Sequence, residues 1–227
     1  KLLIWTTTPW TLPANQAVAL NSALQYCRVI DDSGHKYIVA KACLNNLIAL
    51  GLKYQCDVDS SYVLTRKYNS PITGEVCGIL DAPFVRPETG TGLVHLAPSY
   101  GHDDFETCRK HTINPLSLVN DAGEFTCGGD IHGMSIFDEA ATNLIFKQLG
   151  SNCVFTHKIA HRYPVDWRTK KPVIIRATHQ WFIDITKIST KLHDAIDQMV
   201  SFHPPSGKDK LHRMIDSRSS WCISRQR

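Results

Sequence analysis

The chain has no CxxC pair, no HExxH, no GxSxG elbow, no Walker loop and no GxGxxG after a strand. These gaps argue against a paired-thiol redox motif, a zinc protease helix, an α/β-hydrolase nucleophile and the two common nucleotide-phosphate cradles. The "TGTG" at Thr89–Gly92 is too short for a phosphate loop and reads as a turn. No apolar run nears the roughly 20 residues of a membrane helix, and no signal-peptide pattern opens the chain. There is no internal repeat and no low-complexity tract. Basic residues form no long cluster; "RTKK" at Arg168–Lys171 is the densest and suits a solvated loop. A net charge of +4 therefore permits an acidic partner without demanding one.

Eight cysteines are present, but they are scattered. In 227 residues this usage points to reduced thiols of an intracellular compartment. Cys153, His157 and His161 stand four apart and imitate a metal site. The segment "CVFTHKIAHRYP" reads partly as strand, which would scatter those side chains, and no fourth ligand is evident; no metal is expected. Hydrophobic content of 43% and charged content of 20% describe a soluble globular protein with one core, or one domain plus an appendage. The opening "KLLIWTTT" and the closing "WCISRQR" read as cut from a longer polypeptide.

"WTTTPWTLPAN", Trp5–Asn15, packs four threonines and two prolines into eleven residues. Ile4, Trp5 and the β-branched threonines suit a strand that stops or turns near Pro9, crowding hydroxyls at one bend. "YCRVI" and "KYIVA" flank "DDSGH" as a hairpin, with Gly34 free to take a positive φ. Ala40 to Ile48 follows helical spacing and Gly51 ends it. Short strands broken by "NSPITGE" and "DAPF" fill Tyr54–Val85, and "GTGLVHLAP" is a buried strand closed by Pro98. A helix opens near Asp103 and Asp104 and runs through Cys108. Another covers Phe137–Ile145 and ends at Gly150. "RYPVDWRTKKPVIIRATHQWFIDI" is an extended ribbon with an exposed turn. A last helix, over Ile188–Met199, ends before Pro204 and Pro205. The expected fold is α+β, with a mixed, largely antiparallel or barrel-like sheet and flanking helices. The expected division is a domain over 1–155, then a ribbon and helix over 156–227.

What remains for chemistry is polar groups at strand ends: the hydroxyls of Thr6–Thr11, His95 in an apolar strand, and Asp103 and Asp104. Singly each has a plain reading. Threonines favour strands, a histidine among apolar residues is more often a satisfied core group, and aspartates in a first helical turn complement its free amides.

Together, in one order, "WTTTPWTLPAN", "GTGLVHLAPSYGHDDF", "RYPVDWRTKKPVIIRATHQWF" and "WCISRQR" resemble the editing insertion of class I isoleucyl-tRNA synthetase and its return to the catalytic domain. Valyl and leucyl relatives carry an arginine where Thr8 stands, and "TLPAN" is the isoleucyl form. The adenylate-forming HIGH and KMSKS signatures are absent from this chain. The resemblance implies hydrolysis of valine misattached to tRNA(Ile), with no amino-acid activation. It implies Asp104, with Asp103 as the alternative, gripping the substrate ammonium. Thr11 and His95 would wall the side-chain pocket. Thr6, Thr7 and Thr8 would hold ribose and carbonyl and orient a water. Asn15 matches a family asparagine near that site and also suits a turn.

The implied partners are the valine-bearing 3′ end of tRNA(Ile) and the rest of the synthetase; no membrane is expected, and the chain is expected to be monomeric. This piece should need no cofactor, whereas the whole enzyme would use ATP and Mg. Asp166, where many bacterial relatives have cysteine, leans the resemblance toward a mitochondrial matrix enzyme, with the cytoplasm as the alternative. Trp167, Trp181 and Trp221 are expected to be packing anchors, and Arg168, Lys170 and Lys171 either tRNA contacts or solvated. A non-catalytic module that holds the tRNA end or braces the synthetase is the competing reading.

Overall fold

The computed structural model describes residues 1–87, 90–160 and 162–224. Thr89 and His161, named above, and the closing "RQR" lie outside them. The described chain forms two compact units that meet in sequence between Ala177 and Thr178.

The first unit holds strands β1 (Ala17–Leu20), β2 (Tyr26–Ile30) and β3 (Lys36–Ala40), then helix α1 (Leu44–Ile48). Strand β4 (Lys53–Val58), helix α2 (Ser60–Leu64), and strands β5 (Lys67–Asn69), β6 (Val76–Asp81) and β7 (Val94–Leu96) follow. Helices α3 (His102–Lys110) and α4 (Glu139–Leu149) complete its regular elements. Two sheets result, ordered β5-β6-β1-β7 and β3-β2-β4. Among the described strands only β1–β6 is a parallel pair, and neither sheet closes into a barrel.

Strand β1 organises the unit. Its four residues are all buried, as expected of a central strand covered on both faces. Val18 and Leu20 join one apolar cluster with Tyr26, Val29, Val39 and Leu52, whereas Ala17 and Ala19 join another with Leu80, Leu96 and Cys108. That split is the two-residue period of a strand. A third cluster packs α4, through Ala141 and Ile145, with Val119 and Phe125, and takes Trp10 and Leu12 at its edge.

The expected hairpin is β2–β3, with Gly34 at φ 84°. The helices ending at Gly51 and Gly150 are present as α1 and α4, and both glycines have positive φ. One expectation fails at the start. Lys1–Thr8 forms no ladder beyond a bridge from Leu2 to Ile38. Thr8 donates its amide to Thr6 Oγ1 at 3.1 Å, and Pro9–Ala14 winds into a 3-10 helix. A hydroxyl that captures a neighbouring amide takes it from any strand partner, and the proline at the helix start reinforces the turn. The stretch 153–160 likewise has no regular strand, and among the described residues the ribbon over 162–177 pairs only at the isolated Val165–Pro172 bridge, its end being tied by the Ala177 amide to the Ser99 carbonyl.

The second unit has β8 (Phe182–Asp184), α5 (Ser189–Met199), α6 (Ser206–Asp216) and β9 (Ser220–Cys222), with β8 and β9 antiparallel. Here α6 begins just after the prolines expected to end the helical region. Trp181 and Trp221 are 77% and 58% exposed, and Trp167 of the first unit 71%. At these exposures they are not packing anchors among the described residues: Trp167 stands in a turn, and Trp181 and Trp221 lie on or beside the short β8–β9 pair.

Candidate active site

The 3-10 helix Pro9–Ala14 is held in two ways. Trp10 packs edge-to-face on Tyr100 at 4.9 Å between ring centroids, and Gln16 donates its amide to the Leu96 carbonyl at 2.9 Å. The threonine segment is thus fixed beside the end of β7.

Within that segment Thr6 and Thr8 hydroxyls lie 3.3 Å apart, and Thr7 is exposed. The Thr8 carbonyl accepts from both the amide and the hydroxyl of Thr11, at 3.0 and 2.8 Å. Thr11 Oγ1 in turn lies 2.9 Å from His95 Nε2. Both side chains are buried. Burial pushes the His95 imidazole down to about 4, so the ring is neutral near pH 7. Its Nδ1 is buried without a partner among the described residues, as is Ser99 Oγ.

Two residues beyond His95, the Ala97 amide donates to Asp104 Oδ2 at 2.9 Å. An extended backbone spans about 7 Å between those two α-carbons. One short stretch therefore links the threonine–histidine contact to the carboxylate. Asp104 is not a helix cap, since Gly101 is the N-cap and no side chain caps α3. Gly101 also makes room: a Cβ there would meet the Asp104 carboxyl at 2.9 Å. Burial raises the Asp104 carboxyl, the Ala97 amide opposes that, and the charge of Asp103 adds to it. Asp103 itself sits exposed on the first turn of α3.

Asn15 is buried, with both polar groups already engaged: Nδ2 donates to the Ala17 carbonyl at 2.9 Å, and Oδ1 accepts from Tyr68. It clamps the join of the 3-10 helix to β1. The structure thus brings Thr6, Thr8, Thr11, His95 and Asp104 into one connected set. Thr7 and Asp103 stand at exposed positions beside it, and Asn15 serves from behind.

Three contributors escaped the sequence reading. The Ala97 amide has no side-chain signal, and Tyr68 lies in a short exposed-looking strand. Gly101 did have one: a glycine directly before a pair of carboxylates marks a close approach. Among the described residues no group of three His, Cys, Asp or Glu side chains is arranged to hold a metal ion.

The family profile for tRNA synthetases class I (I, L, M and V) matches residues 15–227. The chain belongs to that family. An isoleucine--tRNA ligase of Parasynechococcus marenigrum is 39% identical to this synthetase chain over 234 residues, covering 100% of it and 24% of that protein. One from Malacoplasma penetrans is 37% identical over 240 residues, again covering 100% of this chain and 26% of the relative. The chain thus spans about a quarter of the length of the curated relatives it matches. In three dimensions it is similar to the crystal structure of GlLeuRS-CP1, with TM-score 0.57 and 16% identity, over 70% of this chain and 84% of that one. At that identity the likeness speaks for the fold, which is the mixed α+β architecture expected from the sequence.

Proposed function

We propose that this chain is the editing module of an isoleucyl-tRNA synthetase and hydrolyses Val-tRNA(Ile). The observation that carries the reading is the Thr11–His95 contact, which draws the hydroxyl segment against the strand whose end Asp104 grips. Similarity over the whole of this chain to isoleucine--tRNA ligases, of whose length it spans about a quarter, supports the substrate class.

The need is physical. An apolar pocket separates isoleucine from valine by one methylene, worth about 1–3 kcal/mol, so a synthetic site alone admits errors; synthetase editing is the standard illustration of this limit. A second site reverses the test by excluding the larger side chain, since atomic overlap is penalised more steeply than a void.

In this reading the Asp104 carboxylate binds the valyl ammonium by a charge-assisted hydrogen bond. Neutral hydroxyls of Thr6, Thr7 and Thr8 bind ribose and carbonyl oxygens and a water. The water attacks the ester carbonyl carbon, and donors near the threonine bend stabilise the oxyanion. Collapse of that intermediate breaks the carbonyl-carbon bond to the ribose oxygen, which takes up the proton that the water loses. The products are valine and free tRNA. No group of the chain is acylated.

The test is deacylation of Val-tRNA(Ile) and Ile-tRNA(Ile) by this chain, with Asp104→Ala as control. Release of valine, survival of the isoleucyl ester and loss of turnover in the variant are expected. Intact Val-tRNA(Ile) would leave a binding or bracing module instead.

A further inference from the structure

The Thr11 hydroxyl has one hydrogen and two neighbours within bonding distance, the Thr8 carbonyl at 2.8 Å and His95 Nε2 at 2.9 Å. A carbonyl oxygen can only accept, so the hydroxyl hydrogen belongs on Thr8. The Thr11 oxygen then meets His95 Nε2 with a lone pair, and Nε2 must carry the ring proton. The other end of the ring agrees. His95 Nδ1 is buried without a partner among the described residues. A proton there would be an orphaned buried donor, which folded proteins avoid more strictly than an orphaned acceptor.

We propose that Thr11 is a positioning residue whose hydroxyl, pinned by the Thr8 carbonyl, locks His95 as the neutral Nε2–H imidazole with Nδ1 as a bare acceptor. Thr8 thereby acts through its backbone, whatever its side chain does. The consequence for the site rests on the deacylase reading. A cationic ring two residues from the Ala97–Asp104 contact would repel the substrate ammonium that Asp104 is to hold. Burial keeps the ring uncharged, while the lock fixes its plane and commits its one N–H to Thr11. A rigid neutral wall is also what size exclusion needs, because a ring free to turn would yield to one more methyl group.

The lock is read by NMR. The chain is labelled with 15N-histidine and the two-bond proton–nitrogen correlations are recorded near pH 7. The His95 signals are identified by their loss in His95→Gln. The expected wild-type pattern is a protonated Nε2 and an unprotonated Nδ1. Thr11→Ser should keep that pattern, and Thr11→Val should turn it into a mixture of tautomers. Deacylation should follow: Thr11→Val narrows the preference for valyl over isoleucyl ester by about tenfold, within the range of one methylene's discrimination, and Thr11→Ser restores it.

A wild-type proton on Nδ1 overturns the proposal, and so does an unaltered pattern in folded Thr11→Val. If the valine variant does not fold, the wild-type and serine spectra still decide the tautomer. A chain that shows the Nε2–H pattern but leaves Val-tRNA(Ile) intact refutes the deacylase and not the lock.

Discussion

Asp104 combines two demands that pull against each other. Its carboxyl is raised because burial penalises the charged form, yet binding an ammonium requires that form. The folded chain therefore holds this proton more tightly than the unfolded chain does. The contribution to stability is present below the ordinary carboxyl value of 3.8 and is lost as pH rises through the higher folded value. Asp104→Asn keeps an oxygen for the Ala97 amide and removes the charge. Denaturant midpoints should be higher in this variant than in wild type at pH 7 and should converge with it toward pH 3. Its deacylation should fall by about 10- to 100-fold in kcat/KM, the loss expected for one hydrogen bond to a charged group. A variant less stable than wild type at pH 7 would contradict the burial argument. Thr7 makes the opposite case. It is exposed, so Thr7→Ala should change stability by no more than about 0.5 kcal/mol. Turnover should nevertheless drop about tenfold or more if its hydroxyl orients the water; unchanged turnover would remove it from the mechanism.

At the scale of elements, α3 and the turn before it set where the carboxylate stands. Gly101→Ala would place a methyl 2.9 Å from the Asp104 carboxyl, and one of the two must move. Alanine is a poorer N-cap than glycine, and the loss at the cap should be about 1 kcal/mol, whereas a displaced carboxylate would lose its hold on the ammonium. Activity should therefore suffer far more than stability, which thermal unfolding alongside valine release would separate. Elements with strong local signals were legible from sequence: β2–β3 by its Gly34 turn, α4 by its apolar period and Gly150, α3 by its leading aspartates. The threonine segment was misread as strand because β-branching is a preference for a pleated surface, and here hydroxyl-to-amide capture and Pro9 override it. Short α2 and β5 have too few residues for any period to show. At the site, Thr11, His95 and Asp104 each have a plain reading alone and stand out as candidates only through the resemblance of the motifs in their order. The Ala97 amide, the Thr8 carbonyl and the back support from Tyr68 exist only once the chain is folded.

At the scale of the whole chain, every candidate site residue lies between Thr6 and Asp104, whereas the exposed large apolar side chains cluster toward the other end. Val165, Trp167, Val173, Ile175, Trp181 and Trp221 are all at least 40% exposed. Between Cys153 and Ala177 the described backbone has one isolated bridge and little else, yet it is tied back near its end by Ala177 to the Ser99 carbonyl at 2.7 Å and by Arg176 to the Val119 carbonyl at 2.9 Å. Few internal hydrogen bonds and exposed basic residues make such a stretch the first to open to a protease. Brief trypsin treatment should cut first at Lys158, Arg168 or Lys170, before any site in the two sheets of the first unit. Because cleavage there spares β1, β7, α3 and the threonine segment, the nicked chain should still release valine from a valyl ester of adenosine within a few-fold of the intact rate. Mass spectrometry of the first fragments and that assay on the nicked material check both halves. First cuts within β1–β7, or a nicked chain that has lost the reaction, would mean that the ribbon is part of the machinery and that the site cannot be confined to the residues before Lys110.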